Sequence, residues 1–210
     1  MKIFTSADIA AQDKRFRTTF INSLSGFKSV QLLGTISPEG KPNLAIFNSI
    51  FHVGAHPPLL GHIIRPKGPE HDTLENILKT GYFTLNNIQE SYYKQAHQTS
   101  ARYLSGESEF EACGFTSEMI GDFPVPFVKE ASIKIGLKLR EALPLTVNDT
   151  KVIIGEIELI QLDETLVGED GYVDLEKAGS ITCAGLDSYH RTQKIGRLAY
   201  AKPGLEPNEL

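Results

Sequence analysis

Apolar and polar positions change period several times along this 210-residue chain, and the changes delimit its elements. Residues 1–25 read as helix, with Phe16, Phe20, Ile21 and Leu24 spaced along one face and Gly26 where a helix C-cap belongs. Residues 30–36 form a β-rich run. Ser37-Pro38-Glu39-Gly40-Lys41 has turn composition, and residues 44–53 return as a second, longer strand, so the two predict a hairpin. His56-Pro57-Pro58 interrupts the chain before a third strand at 59–65. Asp72 and Glu75 are spaced as a capping box opening a helix at 73–79, which Gly81 stops. A strand follows at 82–88, and residues 91–104 have helical spacing, with Tyr92, Ala96, Thr99 and Tyr103 on one face.

Pro124 and Pro126 mark an irregular connection before two long strands. Residues 131–141 alternate, with Ile133, Ile135, Leu137 and Leu139 opposite Ser132, Lys134, Lys138 and Arg140, and residues 152–162 are apolar on both faces at several points. Six strands in hairpin order, with few short helices between them, predict a mainly β chain with peripheral helices, closed as an antiparallel barrel. A doubly wound sheet would need longer, regular crossovers. The whole chain, 1–210, reads as one domain with a helical segment at its start and a polar tail from 203.

Composition narrows the class. Hydrophobic residues at 40% and charged residues at 22% exclude wholesale disorder. Twenty-one basic against 26 acidic side chains, net −5, argue against a nonspecific nucleic-acid binder. Cys113 and Cys183 form no CxxC pair and read as small core residues in a reduced, cytoplasmic setting. The start lacks an apolar signal core, and no run approaches the roughly 18 apolar residues of a membrane span.

Several chemistries lack their motifs. No GxGxxG follows a strand, and there is no GxxxxGK[ST] and no GxSxG. Ser91-Tyr92-Tyr93-Lys94 and Lys79-Thr80-Gly81 fit the SxxK and KTG patterns of serine hydrolases, in the wrong order and too close together. His52, His56, His62 and His71 crowd one region without acidic or cysteine partners at ligand spacing, so no metal site is expected. Asn148-Asp149-Thr150 is a glycosylation sequon in form alone.

Three polar clusters stand out. Asn48 and Ser49 interrupt both apolar faces of the second strand, where Leu44, Ile46, Ile50 and His52 point one way and Ala45, Phe47, Phe51 and Val53 the other. A buried amide and hydroxyl need partners, which neighbouring strands or a flat polar ligand would supply. Arg65, Lys67 and Thr73 flank a helix start and suit an anion, with Asp72 opposing it. Thr99, Ser100 and Arg102 form a third donor-rich stretch, competing for the same role.

These residues resemble a family. Asn43-Leu44-Ala45 with Asn48-Ser49, Pro57-Pro58-Leu59, Arg65-Pro66, Thr73 with Asn76-Ile77, and Thr80-Gly81-Tyr82-Phe83 with Asn86 look like the flavin reductase-like FMN-binding proteins. The similarity continues through His97-Gln98-Thr99-Ser100-Ala101-Arg102-Tyr103 and Gly185-Leu186-Asp187-Ser188-Tyr189-His190. The resemblance implies a split β-barrel that dimerises and holds one FMN per subunit near the interface. Asn48, Ser49 and Ile50 would meet the flavin ring, largely through backbone groups, with the ligand in place of neighbouring chain as the polar partner. Arg65, Lys67 and Thr73, or else Thr99, Ser100 and Arg102, would hold the phosphate, and Tyr189 would border the flavin. His190 would guide a nicotinamide. The implied activity is hydride transfer from NADH or NADPH to FMN and on to an acceptor. Alternatives are an FMN electron carrier reduced by a protein partner, and a ligand-binding barrel without redox chemistry.

Overall fold

Two short helices precede the sheet, α1 (Ser6–Ala11) and α2 (Lys14–Leu24), in a computed structural model that describes residues 1–66, 72–104 and 107–210. The single helix expected from the apolar spacing is broken at its middle. Thr5 and Asp8 close a capping box on α1, and the Asp13 carboxylate accepts from the Arg15 and Phe16 N–H groups, restarting the helix as α2. The remaining elements are β1 (Phe27–Ile36), β2 (Pro42–Ala55), β3 (Pro58–Ile64), α3 (Asp72–Thr80), β4 (Tyr82–Asn87), α4 (Tyr93–Gln98), α5 (Glu109–Ala112), β5 (Ser117–Glu118), β6 (Phe127–Val128), β7 (Ile133–Leu145), β8 (Thr150–Leu162), β9 (Thr182–Ala184) and β10 (Ser188–His190).

Pairing runs β1–β2–β3–β8–β7–β4 and returns to β1. The six strands expected from the sequence are the staves of this closed antiparallel barrel, and closure removes the unpaired edges of an open sheet. Leu33 and Leu85 face each other across β1 and β4 inside it, with Phe83, Leu137 and Ile153. Leu74 and Ile77 of α3 plug the same interior. On the outer face, Leu32 and Leu44 pack against Tyr92, Ala96, Phe110 and Cys183, so the segments carrying α4 and α5 lie over β1 and β2. Both cysteines are free and buried.

Two spans differ from the sequence expectation. The helix at 91–104 stops at Gln98 because the Thr99 and Ser100 hydroxyls donate to the Ala96 and His97 carbonyls (2.8 and 2.7 Å), drawing the chain into a turn. The β9–β10 hairpin, which extends the sheet from the start of β1, has strands too short to show a period. No helix among the described residues is long and apolar enough to cross a membrane.

Lys134 of β7 is 6% exposed, and its ammonium pairs with the Glu118 carboxylate, tying the small β5–β6 sheet to the barrel. Glu118→Ala strands that cation and is expected to lower unfolding free energy by roughly 2 kcal/mol, less than a fully buried pair because Glu118 is partly solvated. Urea denaturation of the variant, and of Glu118→Ala with Lys134→Met, checks this. The double variant should recover most of the loss.

Candidate functional site

The site begins at an irregularity in β2. Gln31 pairs with Phe47 and Ser29 with Ile50, so three steps along β2 match two along β1, and the extra residue lies at Asn48-Ser49. A bulge reverses the facing of everything beyond it. Ile50 therefore packs into the barrel interior with Phe47, whereas strict alternation places it with Leu44 and Ile46.

The bulge also decides where the two polar side chains go. The Ser49 hydroxyl donates to the Ile63 carbonyl (3.1 Å) and accepts from the Ile63 N–H (3.3 Å), standing in for main-chain pairing to β3. The Asn48 amide donates to the Gly185 carbonyl (2.8 Å). The expectation that a ligand supplies these partners is thus corrected: neighbouring chain does, because the bulge swings both side chains toward main-chain groups. What the bulge offers a ligand is its backbone, since residues 48 and 49 have no register partner on β1.

A cleft of ≈970 Å³ opens over this stretch, within the size range of cofactor sites. Val30, Ala45, Ile46 and Phe47 give it an apolar floor, flanked by Asn48 and Ser49. One wall is the β9–β10 hairpin, which contributes Cys183, Leu186, Asp187 and Tyr189. Gly185, at φ +64°, makes the hairpin's turn. Its carbonyl also accepts from Lys28 Nζ (2.9 Å), so donors from β1 and β2 hold the wall at one point.

The opposite side is polar and braced from within. Asn43 Nδ2 donates to the hydroxyls of Thr35 and Thr73 (both 3.1 Å), and Asn76 Nδ2 to Thr35 (3.2 Å). The Thr73 hydroxyl accepts from Asn43 in the first turn of α3, and its proton has no acceptor among the described residues. Arg65 stands beside it, its guanidinium donating to Asn22 of α2 (2.6 Å). Glu109 accepts from the Leu44 N–H (3.0 Å), and burial, with Asp72 nearby, pushes its carboxyl above the usual range. Arg102 lines the cleft with no ion-pair partner among the described residues.

Of the residues singled out from sequence, Asn48, Ser49, Arg65, Thr73, Thr99, Ser100, Arg102 and Tyr189 line this one cleft. The two competing donor sets are therefore parts of a single site. Ile50 and His190 are not among its lining residues. His190 binds Ser188 (2.8 Å) and meets the Phe27 ring edge-on at 4.9 Å. Lys67 and His71 lie outside the described residues.

A sequence profile for the flavin reductase-like domain matches residues 26–177. The chain belongs to the flavin reductase-like family. This flavin reductase-like protein superimposes with a TM-score of 0.92 on a candidate flavin reductase with a split barrel domain from Shewanella frigidimarina. The two are 48% identical over 96% of this chain and 100% of the other. Nitrilotriacetate monooxygenase component B from Bacillus cereus aligns with a TM-score of 0.80 at 25% identity, covering 92% of this chain and 98% of that one. An uncharacterised Aquifex aeolicus protein is 32% identical over 147 residues, 69% of this chain and 74% of its own.

Several lining residues of this family member carried no usable signal as site residues in the sequence. Cys183 and Glu109 have no distinguishing neighbours, and His97 stood out only as part of the resemblance. Asn43 was legible as part of the resemblance alone, because its network needs α3 folded against β1 and β2.

Proposed function

We propose that this chain is an FMN-binding oxidoreductase that takes hydride from NADH or NADPH and passes electrons to an acceptor. The observation that carries the reading is the cleft over the β2 bulge: an apolar floor beside main chain with no register partner on β1, next to a helix start with a guanidinium and a hydroxyl that donates to no acceptor among the described residues. A flat, amphipathic cofactor ending in a phosphate fits that set. FMN supplies reversible two-electron chemistry, and the chain supplies orientation and polarity.

Thr73 and Arg65 are the better phosphate ligands. The Thr99 and Ser100 hydroxyls are spent on the Ala96 and His97 carbonyls, and they follow a helix C-terminus, whose dipole opposes an anion. In that stretch Arg102 alone offers donors without a partner among the described residues. Backbone groups at Asn48 and Ser49 would face the ring's polar edge. The homodimer reading is supported by the surface beside the hairpin wall, where Leu24 and Phe27 are 64% and 68% exposed. A second copy would cover them.

Anaerobic addition of NADH or NADPH to the FMN-loaded protein should bleach the flavin band near about 450 nm. Arg65→Ala and Thr73→Ala should each weaken FMN binding roughly 10-fold, the worth of one hydrogen bond to a charged group, and Ser100→Ala should change it little. Fluorescence titration of FMN measures all three. Bleaching by a reduced protein donor, with none from either nicotinamide, would select the electron-carrier alternative.

A further inference from the structure

Neither α1 nor α2 buries a residue, and both precede residues 26–177, so the family match assigns them no role. The Phe20 ring packs on Phe16 of its own helix and on Phe4, at 5.7 and 5.1 Å, an aromatic cluster internal to the N-terminal segment. Hydrophobic burial therefore does little to place α2 on the barrel. Its last turn nevertheless touches both sides of the cleft. Ser23 lies against the turn of the hairpin wall, where a Cβ on Gly185 would sit 3.8 Å from that of Ser23. Asn22, one residue earlier, reaches Arg65 on the other side.

The Asn22 amide is fixed at both ends. Its Nδ2 donates to the Thr18 carbonyl one turn back (2.8 Å), which leaves Oδ1 to accept from Arg65 Nη2 at 2.6 Å. An amide oxygen orients a guanidinium without cancelling its charge, whereas a carboxylate would do both. Arg65 has no ion-pair partner among the described residues, so that charge is not neutralised there. Its side chain is exposed, and a long exposed side chain loses rotamer freedom when it closes on a ligand. The Asn22 bond removes part of that freedom before any ligand arrives.

We infer that Asn22 is a positioning residue for a phosphate monoester, holding Arg65 at the rim of the cleft with its charge intact. This rests on the flavin reading above, which puts Arg65 on the FMN phosphate. The N-terminal segment thereby becomes part of the site, and its effect is confined to phosphorylated ligands. Riboflavin, which has the same ring and side chain without the phosphate, should not register α2.

Fluorescence titrations of FMN and of riboflavin test this on wild type, Asn22→Ala, Asn22→Asp, Arg65→Ala and the double variant Asn22→Ala with Arg65→Ala. Asn22→Ala should weaken FMN roughly 5-fold, the scale of ordering one long side chain, and leave riboflavin unchanged. Asn22→Asp keeps an acceptor but offsets the cation, so it should weaken FMN at least as much. In the Arg65→Ala background, Asn22→Ala should change nothing further, a coupling that a general disturbance of α2 would not produce. Alanine favours helix, so α2 survives the substitution, which circular dichroism checks. A flavin-free readout is the Arg65 Nε–H NMR signal titrated with inorganic phosphate, which should respond in wild type and need a higher concentration in Asn22→Ala. Equal FMN affinity in wild type and Asn22→Ala, equal losses for FMN and riboflavin, or additive losses in the double variant overturn the inference. If wild type binds neither flavin, the flavin reading fails by itself, and the phosphate titration decides. No difference there between wild type and Asn22→Ala overturns the positioning role.

Discussion

Lowering the pH from 7 toward 3 should remove about 3–5 kcal/mol of stability through His62 alone. The residue is 1% exposed on β3, with its ring edge-on between Phe47 (5.3 Å) and Phe83 (5.1 Å), and its Nε2 has no hydrogen-bond partner among the described residues. Burial pushes the imidazole down to about 3 from an ordinary 6.5. Below pH 6.5 the unfolded chain binds a proton that the folded chain refuses, so each further unit of acid favours unfolding by about 1.4 kcal/mol until the folded value is reached. The contribution is complete above pH 6.5 and lost as pH falls toward 3. Urea midpoints at intervals from pH 7 to 5.5, above most carboxylate titration, isolate it. His62→Leu should flatten that slope, and at pH 7 it should be at least as stable, since it removes an orphaned polar atom. Equal slopes in both proteins would refute the assignment.

Gly34→Ala should cost about 3 kcal/mol or more, although it adds one methyl group to a strand. Gly34 on β1 lies between Leu44 of β2 and Thr84 of β4. A Cβ there would sit 2.5 Å from Thr84 Oγ1 and 2.7 Å from the Pro126 carbonyl. Those two atoms form a buried hydrogen bond of 2.8 Å that fixes the segment before β6 onto the barrel. The methyl would split the bond and strand both groups, or push the segment off β1. Gly196→Ala, with nothing within 4 Å, is the matched control and should be neutral. Thermal unfolding of the two variants checks the contrast, and a shift in Gly34→Ala no larger than in the control would refute it.

Hydrophobic periodicity determined the barrel before any coordinates. The β-rich runs of β1 and β8, the alternation in β7 and the hairpin turn at 37–41 are local properties, and in β7 the apolar face states which side is buried. Gly26 likewise fell at φ +77°, past the end of α2. Boundaries were weaker where side chains competed with the backbone, as at Asp13 and at Thr99-Ser100.

The site divides along the same line. Its residue types were visible in the sequence, because polar groups inside apolar strands are conspicuous. Their partners were not. One extra residue in β2 reversed the facing of Ile50 and gave Asn48 and Ser49 protein partners 137 and 14 positions away. Whether Arg65 with Thr73 and Thr99 with Arg102 were rivals or neighbours depended on closing the barrel, which brings all four to one cleft. The meeting of His97 with Tyr189, 92 positions apart, was likewise settled by folding. A one-dimensional pattern records the preference of each residue for water or oil. Distances between segments far apart in sequence, and therefore hydrogen-bond partners and shifted pKa values, exist once the chain has closed on itself.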